Sequence, residues 1–100
     1  MENSFANKTP GIIAEELVEY SSQYQTLTEE LYQILEKKAV RWNTLRDLRG
    51  SDKQADRDWE ATKDGRREIE LKLKLKALEK MISAIRTLLR TKSDEAHQLY

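Results

Sequence analysis

The sequence predicts an all-α protein built as a long antiparallel helical hairpin. Apolar residues recur at steps of three and four, 36% of the residues are charged, and turn-forming residues are scarce, with three glycines and one proline. One hundred residues form one small domain, and a small domain buries a smaller fraction of its surface than a large one. We therefore expect the hairpin to dimerise into a four-helix bundle.

The first predicted helix spans about residues 10–49 and follows a flexible tail of residues 1–9. Thr9 supplies an N-cap, and Pro10 occupies the first helical position, where its missing N–H costs nothing. Gly50 can end the helix in the left-handed conformation. The apolar stripe of this helix is about 100° wide, so we expect the helix to pack on one side only. Lys38 interrupts the stripe, and we expect its long side chain to reach solvent past the apolar residues. The stripe contains Ile13, Leu17, Tyr20, Tyr24, Leu27, Leu31, Ile34, Leu35, Trp42 and Leu45.

The second predicted helix spans about residues 52–95, because Ser51 and Gln54 form the pattern of a capping box. Gly65 predicts a break near residues 62–66. Two apolar stripes follow this helix. The first, called the heptad seam, is Leu71, Leu75, Leu78, Ile82, Ile85 and Leu89. The second stripe is Ala55, Trp59, Thr62, Ile69, Leu73, Ala77, Met81, Ala84 and Leu88.

The short turn predicts which surface each apolar stripe packs against. An antiparallel hairpin that reverses at Gly50 places Trp42 beside Trp59, so we expect both indoles to be buried near the turn. On this interpretation the second stripe packs on the first helix. The heptad seam is left uncovered, and it is the predicted dimer interface because a second copy buries it with the least change of structure.

Charge is unevenly distributed along a chain that is neutral overall. Residues 1–36 contain seven acids and one base, and residues 37–100 contain eleven acids and seventeen bases. Five bases of the second helix fall within an arc of about 120°, which we call the basic stripe: Lys72, Lys76, Lys80, Arg86 and Arg90. Such a stripe attracts phosphate backbones, although no aromatic residue lies there to stack on bases. The alternative is a solvated face, or one that pairs with acids of the first helix.

The residue types argue against catalysis and against bound metals or cofactors. Cysteine is absent, and His97 is the single histidine, so neither a thiolate nor a histidine-based site can be assembled. The acids at positions 56, 58, 60 and 64 lack the glycine and glutamate of a calcium loop. No run approaches the roughly 18 apolar residues of a membrane span. We expect a cytoplasmic protein that is not an enzyme and does not bind a membrane.

These observations predict a non-enzymatic homodimeric α-helical interaction protein, such as a small regulator, inhibitor or assembly factor. Its predicted partners are a second copy of itself and another protein. The alternative function is that of a nucleic-acid-associated protein, which would bind through the basic stripe.

Overall fold

The computed structural model describes residues 9–98, with side chains as far as Asp94. Within this range the chain forms three helices and no strand: α1 (Pro10–Arg49), α2 (Asp52–Ala61) and α3 (Lys63–Gln98). The predicted all-α fold class is therefore confirmed. The predicted tail of residues 1–9 lies outside the described range except for Thr9.

The ends of the helices follow from local hydrogen bonding. Thr9 caps α1, because its Oγ1 accepts a hydrogen bond from the backbone N of Ile12 at 3.3 Å. After α1, Gly50 has a φ of 75°, a conformation that costs glycine little. Ser51 then caps α2 by accepting a hydrogen bond from the N of Gln54 at 3.2 Å. Two residues thus suffice to end one helix and start the next.

A single residue, Thr62, separates α2 from α3. Its φ of −74° and ψ of 161° are extended. The carbonyl of Trp59 accepts hydrogen bonds from the N and the Oγ1 of Thr62 at 2.9 and 2.6 Å, and Thr62 Oγ1 accepts one from the N of Gly65 at 2.9 Å. Gly65 lies inside α3, so the observed break is confined to Thr62 and does not extend over the whole predicted range of residues 62–66. One extended residue resets the helical phase, so α2 and α3 do not share one continuous 3.6-residue period.

The chain divides into two compact units, the first of which, the turn unit, comprises residues 26–76. Its core is a cluster of Ile34, Trp59 and Leu71, against which Leu27, Leu31, Trp42 and Leu45 pack. Trp59 is buried in this cluster, and Trp42 packs against it but is half-buried, so the predicted burial of both indoles near the turn is confirmed for Trp59 alone. In this unit α1 and α3 are the two antiparallel arms of a helical hairpin.

The second, terminal unit comprises residues 1–25 and 77–100, of which 9–25 and 77–98 are described. Ile13 of α1 and Ile82 and Ile85 of α3 are buried here. The hydroxyl of Tyr24 donates a hydrogen bond to Glu79 Oε1 at 2.7 Å. The start of α1 therefore packs beside the later part of α3 in this unit.

The structure buries the apolar face of α3 that was predicted to be uncovered and exposes the face that was predicted to pack on α1. Leu71 of the heptad seam is 0% exposed, whereas Leu73 of the second stripe is 65% exposed. Of the predicted dimer-interface residues, Leu71, Leu75, Ile82 and Ile85 are buried within the single chain, and Leu78 and Leu89 are half-buried.

The extended residue at Thr62 explains this correction. In one uninterrupted helix, Trp59 would lie on the same side as Leu73, and burial of Trp59 would carry the second stripe inward. The break rotates α3 relative to α2, so Trp59 and Leu71 both reach the core. The seam also consists of leucine and isoleucine, whereas the second stripe includes alanines, so the observed arrangement buries more apolar surface.

Candidate interaction surfaces

An exposed apolar stripe lies on the outer side of α3, and we call it the outer stripe. In the turn unit it presents Ile69 and Leu73, and in the terminal unit it presents Ala77, Met81 and Ala84, with Leu88 half-buried. Exposed apolar residues in contiguous patches, rather than scattered singly, are typical of interaction sites. This surface replaces the heptad seam as the candidate contact face of α3.

The basic stripe is exposed at each of its five positions, Lys72, Lys76, Lys80, Arg86 and Arg90. Lys72 is held by Glu68, whose Oε2 lies 2.6 Å from its Nζ. Arg86 lines a groove of about 370 Å³ in the terminal unit with Tyr24 and Glu79. The stripe therefore presents positive charge to solvent, with Glu79 as a local acid beside it.

Glu68 is a buried carboxylate that the apolar periodicity did not reveal. It is 5% exposed, and it accepts hydrogen bonds from Trp59 Nε1 at 2.9 Å and from Lys72 Nζ at 2.6 Å. Lys38 Nζ lies 3.2 Å from its Oε1, so this lysine, which was predicted only to reach solvent past the apolar stripe, forms an ion pair with a buried carboxylate. Burial raises the pKa of Glu68, but the hydrogen bonds from Lys72, Trp59 and Lys38 outweigh burial and hold the pKa below its usual value.

The signal for this network was present in the sequence but ambiguous. Glu68 and Lys72 are four residues apart, a common spacing for exposed helical ion pairs. In the structure the carboxylate of this pair is buried and also accepts a hydrogen bond from Trp59 Nε1, while the Lys72 side chain is 56% exposed. Sequence spacing alone does not distinguish the two situations.

A second ion-pair group joins α1 and α3 in the turn unit. Arg67 bonds Glu30 through its Nε and also through its Nη2, the latter at 2.9 Å to Oε1. Its Nη1 lies 2.9 Å from Glu70 Oε1. The hydrogen bond to Glu30 raises the pKa of Arg67, and the same bond lowers the pKa of Glu30. Both groups are charged at neutral pH, and the bidentate contact fixes the register of the two helices.

The acids of α2 hold it against the end of α1. Trp42 Nε1 donates a hydrogen bond to Asp56 Oδ1 at 2.7 Å, and Arg49 Nε donates one to Asp58 Oδ2 at 2.8 Å. Arg46 similarly bonds Asp52. These carboxylates therefore have structural partners on α1.

Neither a metal-binding cluster nor a membrane-spanning helix is present among the described residues. No group of three or more His, Cys, Asp or Glu side chains in the described range is arranged to hold a metal ion. None of the helices in that range combines the length and the apolar character needed to cross a membrane. The side chain of His97 lies outside the described residues.

Fold and surface together define an all-α helical-hairpin protein with an apolar stripe and a basic stripe exposed on α3. In comparisons with known proteins, no family model, no curated protein sequence and no solved structure matches the chain.

Proposed function

We propose that the protein is a non-enzymatic interaction protein that forms a homodimer and acts by binding another macromolecule. The observation that carries this proposal is the outer stripe, where Leu73 is 65% exposed although Leu71, two residues earlier, is 0% exposed. One neighbouring helix covers one side of α3, so the chain's own α1 leaves the outer stripe uncovered. A second copy supplies the further helices of a four-helix bundle.

Light scattering on the wild type and on two leucine variants tests this proposal. Leu73→Asp introduces a charge on the outer stripe and should convert the dimer to a monomer. Leu48→Asp is the matched control, because Leu48 is a 75% exposed leucine on α1, away from the outer stripe. The control should remain dimeric, and circular dichroism should show native helicity in both. A wild type that is monomeric at tens of micromolar would contradict the proposal.

A second candidate function is binding to nucleic-acid phosphates, which the exposure of all five bases of the basic stripe favours. Neutralised phosphates release counterions, so affinity should fall steeply as salt rises from about 50 to about 200 mM. Replacing both Lys76 and Arg90 with glutamate should abolish a gel shift of random duplex at the lower salt. Replacing both Lys53 and Arg57, which are exposed bases on α2, is the matched control and should preserve the shift. No shift for the wild type would eliminate this candidate.

A further inference from the structure

A polar groove lies between α1 and the start of α3 in the turn unit. It has a volume of about 510 Å³, and side chains of both helices line it. Its bases are Lys37 on α1 and three residues near the start of α3: Lys63, Arg66 and Arg67. Because both helix segments belong to the same compact unit, they hold these four bases around one opening.

Ion pairs neutralise two of the acids that line the groove. Arg67 bonds both carboxylate oxygens of Glu30, and Lys74 Nζ lies 2.9 Å from Glu70 Oε1. Each of these two acids thus has a base of its own. A third acid of the lining, Asp64, is half-buried and forms no ion pair among the described side chains.

Three bases of the groove have no partner among the described side chains. Lys37, Lys63 and Arg66 are exposed, and none of them takes part in an ion pair there. Together with the negative charge of Asp64, these three positive charges give the unneutralised part of the lining a net charge of +2. Like charges around one opening repel each other, so an anion that enters the groove lowers the electrostatic energy of all three bases.

The side-chain types indicate which anion fits the groove. Lysine supplies a compact charge with three donors, and the planar guanidinium of arginine binds two oxygens of a phosphate at once. Gln33, which lines the same groove, adds an uncharged amide donor. A single carboxylate carries one negative charge, whereas linked phosphate groups carry several along their length and can contact bases of two helices together. Linked phosphates therefore match both the charge of the groove and the placement of its bases.

We propose that this groove binds the linked phosphate groups of an anion through Lys37, Lys63 and Arg66. The groove is separate from the basic stripe, because Lys63 lies about 180° around α3 from Lys72 at 3.6 residues per turn. Every lining residue belongs to a single chain, so binding here does not require the proposed homodimer. Linked phosphates occur both in free polyphosphates and in nucleic-acid backbones, and these two sources are distinguished by experiment.

Isothermal titration calorimetry of the full chain with inorganic tripolyphosphate, at low salt, tests the groove. The groove variant combines Lys37→Gln with Arg66→Gln and so removes one positive charge from each helix. An exposed ion pair changes an equilibrium by up to about fivefold, so losing two should weaken binding roughly twentyfold. Asp64→Asn removes the unneutralised acid and should strengthen binding, by up to about fivefold. The two changes should therefore move the affinity in opposite directions.

Two matched controls each neutralise one lysine and one arginine outside the groove. Lys53→Gln with Arg57→Gln changes exposed bases of α2, and Lys76→Gln with Arg90→Gln changes the basic stripe. Both lower the net charge by the same amount as the groove variant does, and both should bind tripolyphosphate as the wild type does. Circular dichroism should show native helicity in every protein.

A short thymidine oligonucleotide, titrated in the same way, identifies the source of the phosphates. If the groove variant binds both the oligonucleotide and tripolyphosphate more weakly than the wild type does, the groove accepts a nucleic-acid backbone. If only the binding of tripolyphosphate is weakened, the ligand is a free polyphosphate. Either result supports a phosphate site in the groove.

Three results would overturn the proposal. The first is a wild type that does not bind tripolyphosphate at millimolar concentration. The second is a groove variant that binds tripolyphosphate as tightly as the wild type does. The third is an equal loss of affinity in the groove variant and in both controls, which would show a response to net charge and not to this site.

Discussion

Replacing Gly65 with alanine should destabilise the protein, although helix propensity alone predicts the opposite. Alanine is favoured over glycine inside a helix by about 1 kcal/mol. A Cβ at position 65 would, however, lie 2.7 Å from the carbonyl carbon of Trp59 and 2.9 Å from the Cα of Glu60. These are backbone atoms, so the strain cannot be relieved by rotating a side chain.

The expected loss of unfolding free energy follows from the backbone atoms that the added Cβ displaces. Overpacking at a rigid site costs about 1–3 kcal/mol. Shifting the Trp59 carbonyl also disturbs its hydrogen bonds from Thr62 N and Oγ1, each of which contributes about 0.5–1.5 kcal/mol. After subtracting the propensity gain, we expect a net loss of roughly 1–5 kcal/mol in the free energy of unfolding.

Urea denaturation followed by circular dichroism, at one protein concentration for all variants, measures this loss. Gly11→Ala is the control, because a Cβ there meets nothing within 4 Å. The control should be as stable as the wild type, or up to about 1 kcal/mol more stable. If Gly65→Ala matched its control, the close approach of α2 and α3 around Thr62 would be wrong.

Three further predictions concern the turn unit. Leu71→Ala should cost about 2–5 kcal/mol of unfolding free energy, whereas Leu73→Ala, measured on dilute monomer, should cost less than about 1 kcal/mol; similar losses would contradict the assignment of the inner and outer faces of α3. Because the pKa of Glu68 is lowered in the folded state, its stabilisation is present above the unfolded pKa and is lost as pH falls through the folded pKa. Acid titration of stability should therefore show a weaker acidic decline in Glu68→Gln than in the wild type, and equal declines would rule out this role. In Trp42→Phe, the fluorescence of the remaining Trp59 should resist a soluble quencher, and in Trp59→Phe the half-buried Trp42 should be quenched more strongly; the reverse order would refute the packing of the turn.

Local signals in the sequence were sufficient for the fold class and the chain reversal. The 3-4 spacing of apolar residues predicted helices, and Thr9-Pro10 and Gly50 marked the two ends of α1. These features depend on contacts within a few residues, so they can be predicted without tertiary structure. The grouping of the five bases of the basic stripe on one side of a single helix followed in the same way, but their exposure did not, because the sequence left open a pairing with acids of the first helix.

The sequence by itself therefore determined that the chain is helical, where it reverses and which residues lie together on each side of α3. Only the tertiary structure decided which apolar side of α3 faces the core and that Glu68 is buried there. Both outcomes depend on the phase of α3 relative to α2, which the extended backbone at Thr62 resets. The apolar periodicity of each helix is the same for any value of that phase, so the spacing of residues along the chain cannot specify it.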